Sequence, residues 1–206
     1  MKQGKVEIVS RGIAYDGFFK LEKYRLRHQL FKGGMSDEIS RELFERGHAV
    51  AVLPYDPLRD ELVLLEQFRI GALADSRGPW LTEIVAGMIE HGETPEQVAK
   101  REAIEEAGCE LLELLPILDY YVSPGGTSET IQLYCGLVDT SKVQEGIYGL
   151  DEEHEDIRVV KVNFEQAVAQ LEQGQINSAA PIIAIQWLMM NRDTLRSQWL
   201  GEEMAC

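Results

Sequence analysis

GMIEHGETPEQVAKREAIEEAGC, residues 87–109, is the stretch of the sequence that decides the fold. Its middle part carries the signals of a helix. Thr94 is a preferred N-cap residue whose side chain can accept from the backbone three residues on, and Gln97 can return that bond. Pro95 suits the first helical position, and Gly108 is a common stop signal. These signals predict a helix that begins at Pro95 and ends just before Gly108.

The predicted helix has one face of small residues and one acidic face. Alanines recur at four-residue steps, so the small face can lie close against a sheet. The acidic face carries Glu102, Glu105 and Glu106. Like charges at this spacing weaken an isolated helix, by roughly a few tenths of a kcal/mol per pair. Either a solvated face partly neutralised by Arg101 or a hard divalent cation can offset this repulsion, since carboxylate oxygens suit Mg²⁺.

The complete spacing of the stretch resembles the signature of the Nudix hydrolases. Five residues separate Gly87 from Glu93, and seven more separate Glu93 from Arg101. Every later position of the signature is matched through Cys109. The resemblance therefore favours the metal explanation. It implies an α/β protein with the Nudix α/β/α sandwich and a mixed sheet, and hydrolysis of a nucleoside diphosphate linked to another group, with Mg²⁺ as cofactor and Mn²⁺ as its substitute.

Composition narrows the class of protein. With 206 residues the chain can form one full domain plus a small annex. A formal net charge of −15 argues against a nucleic-acid partner, because no positive field recruits phosphate backbones. The longest apolar run, residues 179–190, is too short to span a membrane. Three cysteines without a C-x-x-C pair fit a reducing cytoplasm. We therefore expect a cytoplasmic protein with neither nucleic acid nor membrane partners.

Residues 6–44 show alternating polar and apolar positions, with Gly33-Gly34 as a hairpin turn. This pattern predicts a small antiparallel β domain before the acidic helix. We place its boundary near Gly47, which gives an N-terminal domain of residues 1–47 and a hydrolase domain of residues 48–206. Because the first domain is too small to bury much surface alone, it should pack on the main domain or on a second subunit, and we expect a homodimer.

The rest of the chain predicts a mixed sheet with helices on its faces. We expect strands at 49–55, 61–69, 80–86, 114–122, 131–138 and 157–162, and helices at 164–173 and 177–198. Residues 139–156 form a long acidic segment, and composition alone favours a solvated, mobile loop there.

A second resemblance limits the choice of substrate. Pro124 lies fifteen residues beyond Cys109 and is followed by Gly-Gly-Thr-Ser-Glu, which is similar to the ADP-ribose pyrophosphatases. Residues 45–48, 66–69 and 155–158 are also similar to the bacterial enzymes of that family. One departure is Val85, where many relatives carry proline. The resemblance implies hydrolysis of ADP-ribose to AMP and ribose 5-phosphate.

Two alternatives stay open at this point. The first is the same chemistry on another nucleoside diphosphate sugar, such as ADP-glucose or a mannose conjugate. The second is a non-catalytic module that senses ADP-ribose. Such a module is expected to have a damaged signature or an appended DNA-binding domain, and this sequence has neither.

The resemblance also implies roles in catalysis and metal binding. The metal ligands would be the Ala86 carbonyl, Glu102, Glu106 and Glu155. The catalytic residues would be Glu153 as general base, with Glu105 nearby. A one-residue shift in the alignment leaves Glu152 as the competing base. In an extended segment residues two apart share a side, so Glu153 and Glu155 would both face the metals.

Substrate contacts follow from the same resemblance. Arg69 would meet the diphosphate, and Glu83 would be a further substrate-binding residue. Phe18, Arg41 and Glu129 would contribute to the nucleoside and the terminal ribose across a dimer interface. An aromatic face and a guanidinium plane both suit stacking on adenine. Packing of Phe18 within the small domain is the alternative.

Overall fold

The computed structural model describes residues 4–203, which form two compact units. Unit 1 contains the residues up to His48 together with Tyr121–Thr130, and unit 2 contains the remainder. The domain boundary near residue 47 stays a prediction. No sequence pattern predicts that Tyr121–Thr130 groups with unit 1. Backbone bonding explains the grouping, because Phe44 N donates to Gly126 O at 2.8 Å.

Unit 1 is built on a three-stranded antiparallel sheet in the order β1-β2-β3. Its strands are β1 Val6–Asp16, β2 Lys20–His28 and β3 Ile39–Glu45. Gly33 and Gly34, with φ of 93° and 79°, lie in the connection between β2 and β3. Only glycine adopts such angles readily, which is why this pair marks the turn. The predicted small antiparallel sheet is confirmed.

Unit 2 is built on an eight-stranded mixed sheet. Its strands are β4 Ala49–Asp56, β5 Glu61–Phe68, β6 Trp80–Glu83, β7 Val85–Met88, β8 Glu113–Tyr121, β9 Thr130–Leu137, β10 Gly146–Tyr148 and β11 Ile157–Asn163. Its helices are α1 Pro95–Ala107, α2 Phe164–Glu172 and α3 Ala179–Glu203. The main order is β10-β11-β5-β4-β9-β8, with β4 and β9 parallel. Within the described part of the chain, no helix is long and apolar enough to cross a membrane.

Strand β4 shows how the core is divided between the two faces of the sheet. Its side chains alternate, so Val50 and Val52 pack in a cluster with α1, whereas Ala51, Leu53 and Tyr55 pack in a second cluster with α2 and α3. All five are fully buried. A strand covered on both faces reads as a continuous apolar run, as β4 does from Ala49 to Tyr55. The predicted sandwich of helices on both faces of a mixed sheet is confirmed.

The predicted single strand over 80–86 is wrong in one respect, because it is two strands that meet at the buried Ile84. Strands β4 and β5 pair only next to their shared turn, at Tyr55↔Leu62 and Asp56↔Glu61. Beyond it, β6 bonds to β5 and β7 bonds to β4. The chain therefore crosses between two separating strands, which no local pattern reveals. The crossing delivers Ala86 and Gly87 next to α1.

Candidate active site

Helix α1 carries the acidic residues, and its ends match the sequence signals. Thr94 Oγ1 accepts from Gln97 N at 3.3 Å, and Gln97 Oε1 accepts from Thr94 N at 2.9 Å, so the capping box is complete. Gly108 ends the helix in the left-handed conformation, with φ of 58°. The alanine face is fully buried and packs in the core. This packing fixes the rotation of α1 and turns part of the acidic face inward.

Glu106 is the most buried of these acids, with only 3% of its surface exposed. Its Oε2 accepts from Ala86 N at 2.9 Å, so β7 holds the carboxylate in place. Burial raises the pKa of Glu106 to about 8, although the Ala86 hydrogen bond opposes the shift, and Glu102 and Glu155 raise it further. A bound cation would strongly stabilise the ionised form of a carboxylate in such a position.

Glu102 lies one turn earlier and packs directly over Gly87. A Cβ added at Gly87 would lie 2.0 Å from Glu102 Oε1 and 2.3 Å from its Cδ. Burial raises the pKa of Glu102 to about 7, Arg101 opposes the shift, and Glu105 and Glu155 add to it. Glu102, Glu106 and Glu155 therefore share one region of negative potential.

We expect Gly87→Ala to lower catalytic efficiency strongly, because the new methyl group would displace the Glu102 carboxylate. The expected loss is about 10²-fold, the scale on which misplacing a group by an ångström acts. Steady-state kinetics over a titration of divalent metal checks this, since the metal requirement should rise as well. Gly146→Ala is the matched control, because Gly146 lies in β10 of the same unit and a Cβ there would meet nothing closer than 3.6 Å. Equal activity of both variants would contradict the close packing of Glu102 on Gly87.

Arg101 holds the acidic face together. Its Nη1 donates to Glu102 Oε1 and to Glu105 Oε2, both at 2.9 Å, and its Nε lies 3.4 Å from Glu93 Oε1. One guanidinium thus orients three carboxylates, as its planar donor fork allows.

Arg69 comes directly after β5 and supplies positive charge near the cluster. Its Nε donates to Glu83 Oε2 at 2.6 Å, so β6 orients the guanidinium. Its charge also opposes the upward pKa shift of Glu106. A cation held beside clustered carboxylates can contact a diphosphate that a metal ion bridges to those carboxylates.

The acidic segment does not have the extended conformation that was predicted for it. Asp151–Glu153 is a 3-10 helix, and His154 follows it in the left-handed conformation with φ of 57°. The expected alternation of Glu153 and Glu155 along an extended strand is therefore wrong. The reason is local bonding, since Glu155 Oε2 accepts from Leu150 N at 3.2 Å and closes the turn. A backbone donor of this kind has no sequence signal.

The two candidate bases differ from Glu155 in their surroundings. Glu152 and Glu153 are both exposed. Within the described residues neither side chain makes a hydrogen bond or an ion pair, whereas Glu155 is partly buried and influences both Glu102 and Glu106. Glu155 thus joins the cluster of α1, while a base at Glu152 or Glu153 stands free to accept a proton.

Phe18, Arg41 and Glu129 lie in unit 1. Phe18 is 91% exposed and touches the ring of Phe19 edge to face at 4.7 Å, so it is not a core residue of that unit. Arg41 lies on β3 directly opposite Tyr24, and its side chain is exposed. Only 7% of the Glu129 surface is exposed, and its carboxylate forms an ion pair with Arg46.

A divalent metal ion fits the donors that unit 2 brings together, since they are carboxylate oxygens with a raised affinity for positive charge. Among residues 4–203 no three His, Cys, Asp or Glu side chains converge closely enough to hold a metal as they stand. Each candidate ligand instead has a protein donor. Arg101 bonds to Glu102, Ala86 N to Glu106 and Leu150 N to Glu155.

Comparison with known proteins agrees with this geometry. The model of the NUDIX domain matches residues 45–183. The ADP-ribose pyrophosphatase of Escherichia coli (strain K12) is 53% identical over 194 residues, which cover 94% of this chain and 92% of that protein. A GDP-mannose pyrophosphatase of Enterobacter sp. (strain 638) is 30% identical over 91% of this chain and 96% of its own.

The fold itself recurs in a solved structure. A crystal structure of an ADP compounds hydrolase superposes with a TM-score of 0.67 at 20% identity, covering 93% of this chain and 98% of the other. The matched family model includes the whole of α1 and the strands that position it. Together with the identity to a full-length relative, these matches show that the chain belongs to the Nudix hydrolase family, in its ADP-ribose pyrophosphatase branch.

Proposed function

We propose that this protein hydrolyses the diphosphate of ADP-ribose to AMP and ribose 5-phosphate. The observation that carries the proposal is the cluster of Glu102, Glu106 and Glu155 with Arg69 beside it. Such an arrangement can bind a diphosphate through metal ions and a guanidinium despite the acidic character of the whole chain. The 53% identity over 194 residues to an ADP-ribose pyrophosphatase supports this choice of substrate.

Nudix hydrolases generally use divalent metal ions, and we propose Mg²⁺ here, with Mn²⁺ as an alternative. The residues that would hold it are the Ala86 carbonyl, Glu102, Glu106 and Glu155. A bound ion would neutralise charge on the diphosphate and lower the pKa of a coordinated water.

The protein's own residues supply the other roles in this proposal. Arg69, oriented by Glu83, binds the diphosphate. Glu153 accepts the proton of the water that attacks phosphorus, since its exposed carboxylate has no competing donor, and the equally exposed Glu152 is the competing base. Glu105 keeps Arg101 in contact with Glu102 and so preserves the geometry of the acidic face.

A homodimer is part of the proposal. Strand β1 is exposed along its whole length, and the exposed side chains include Val6, Ile8 and Ile13. Exposed apolar surface of this extent is typical of an interface. A second subunit would cover it and would let Phe18, Arg41 and Glu129 contribute to a shared site. Light scattering at assay concentration tests this, and a fully active monomer would contradict it.

The experiment that tests the function is a substrate panel with Mg²⁺, read by chromatography of the nucleotide products. We expect ADP-ribose to give AMP with the highest kcat/KM. GDP-mannose is the second candidate, because a relative 30% identical over most of both chains carries that activity in its name. Hydrolysis of GDP-mannose but not of ADP-ribose would overturn the proposal. A cytoplasmic location likewise stays a proposal.

A further inference from the structure

The acidic segment that follows β10 is attached to the C-terminal end of α1. The last carbonyl groups of a helix have no partner inside the helix and need one elsewhere. Gly149 N donates to Glu105 O at 3.2 Å, so one of these carbonyl groups finds its partner at the start of the acidic segment. The backbone that leads to Glu155 is therefore bonded to the helix that carries the other acids of the site.

The ring of Tyr148 forms the second contact of this attachment. Tyr148 is partly buried and packs against the core cluster that contains the alanines of α1. A Cβ added at Gly108 would lie 2.7 Å from Tyr148 Cε1 and 3.1 Å from its Cζ, so the ring lies directly over Gly108. The ring is held at its far end as well, because its hydroxyl donates to Gln144 O at 3.0 Å. Besides ending the helix, Gly108 thus leaves room for this ring.

Glu155 is coupled to the same point of attachment. Tyr148 pairs with Ile157 across β10 and β11, so residues 149–156 form the loop of a hairpin. Gly149 has a φ of 103°, and a Cβ there would lie 2.5 Å from Glu155 Cβ. The next residue bonds to Glu155 twice, because Leu150 N donates to its Oε2 and Leu150 O accepts from its N, each at 3.2 Å. A displacement of Tyr148 would therefore move Glu155 as well.

We propose that Tyr148 is a positioning residue that docks the acidic segment on α1 and so sets how close Glu155 comes to Glu102 and Glu106. These last two acids project from a helix whose alanine face is fixed in the core, whereas Glu155 lies on a loop. The docking contact therefore decides whether the loop acid and the helix acids act as one set of ligands. The inference rests on the proposed function, in which the three acids hold a divalent ion, and Tyr148 acts through Glu155.

The test is binding of Mn²⁺ without substrate, measured by electron paramagnetic resonance, to Tyr148→Ala, Tyr148→Phe, Glu155→Gln and the Tyr148→Ala/Glu155→Gln double variant. We expect Tyr148→Ala to weaken Mn²⁺ binding about tenfold, within the range seen when a residue that orients a metal ligand is lost. Tyr148→Phe should restore nearly all of the affinity, because it keeps the ring over Gly108. The double variant should bind no more weakly than Glu155→Gln alone, since both changes act on the same ligand.

Hydrogen exchange of the metal-free protein gives a second measurement. Exchange over residues 149–156 should be faster in Tyr148→Ala, because the bond from Gly149 N to Glu105 O loosens. Ile147→Ala is the matched control, since Ile147 precedes Tyr148 in β10, points to the opposite face and is 66% exposed. It should change neither Mn²⁺ binding nor exchange. If Tyr148→Ala does not fold, Tyr148→Leu takes its place with the same expected weakening, because it keeps apolar volume but has no flat ring.

Four results would overturn the inference. They are Mn²⁺ binding by Tyr148→Ala as tight as that of the unaltered protein, unchanged exchange over residues 149–156 in that variant, a Tyr148→Phe variant as impaired as Tyr148→Ala, and effects of Tyr148→Ala and Glu155→Gln that multiply in the double variant. Failure of the proposed function would look different, because the unaltered protein would then bind Mn²⁺ and leave ADP-ribose intact. The comparison of Mn²⁺ affinities between variants does not depend on that outcome.

Discussion

Glu106→Gln is expected to lower kcat by at least about two orders of magnitude while leaving the fold intact. Losing one placed electrostatic group in a closed site typically has an effect of this size, about 10²–10³ in rate. The amide keeps an oxygen that can accept from Ala86 N, so the packing around residue 106 persists. What disappears is the negative charge that would hold a cation. Steady-state kinetics at saturating Mg²⁺ measures the loss, and unchanged turnover would contradict the assignment of Glu106 as a metal ligand.

The same substitution should increase the stability of the metal-free protein although it lowers activity. The pKa of Glu106 is raised from 4.5 to about 8 in the folded protein. The folded state therefore binds more protons than the unfolded state between these values, so this carboxyl lowers stability progressively as pH rises through that window. Removing it should raise the melting temperature of the metal-free protein at pH 8 by a few °C, at about 2–4 °C per kcal/mol for a domain of this size, and should change little at pH 4.

Thermal unfolding with a chelator at both pH values measures this difference. Glu110→Gln is the control, because Glu110 is an exposed acid just beyond α1 and has no part in the proposed site. It should match the unaltered protein in activity and in melting temperature at both pH values. A lower melting temperature of Glu106→Gln at pH 8 would mean that burial of this carboxylate does not destabilise the fold.

Glu153→Gln is the second substitution with a large expected effect, a fall in kcat of about 10²–10⁴ at nearly constant KM, as expected for a lost general base. Glu152→Gln is its matched control, because the two acids are neighbours, are both exposed and lie in the same short 3-10 helix. Successive residues of such a helix point about 120° apart, so only one of them can face a given water.

Glu155→Gln should behave differently from both. Glu155 influences Glu102 and Glu106 electrostatically, so its loss should raise the Mg²⁺ concentration needed for half-maximal activity. Kinetics of the three variants across a Mg²⁺ titration separates base from ligand. If Glu152→Gln shows the large fall in kcat and Glu153→Gln does not, the base lies one residue earlier than proposed.

Local signals predicted α1 well because its determinants are local. The capping box at Thr94 and Gln97 and the left-handed Gly108 need no information from the rest of the chain. The buried strand β5 was also predicted from local sequence, because its apolar run of Val63, Leu64 and Leu65 is almost completely buried. Such features depend on residues that are close in the sequence, so the periodic pattern of apolar residues reveals them.

Two features escaped prediction because no residue pattern marks them, one set by distant strands and the other by a single local bond. The break at Ile84 arises because β4 and β5 separate, and the turn at His154 arises from a bond between Glu155 and the Leu150 backbone. Neither partner is marked by residue type. The assignments of Glu153, Arg69 and Phe18 came from family resemblance, and they stay proposals.

The parallel pairing of β4 with β9 has a consequence for synthesis on the ribosome. Both compact units can complete their folding only late in synthesis. In unit 1, His48 contacts Thr130, which lies 82 residues further along the chain, and in unit 2, β4 pairs with β9, which follows Thr130 directly. Until β9 has emerged, a nascent chain presents the apolar β4 without its central neighbour and β3 without the segment that completes unit 1. Closing such long loops is entropically slow. Co-translational folding of this protein should therefore be delayed until about two thirds of the chain has been made, which makes the early polypeptide a natural client for chaperones.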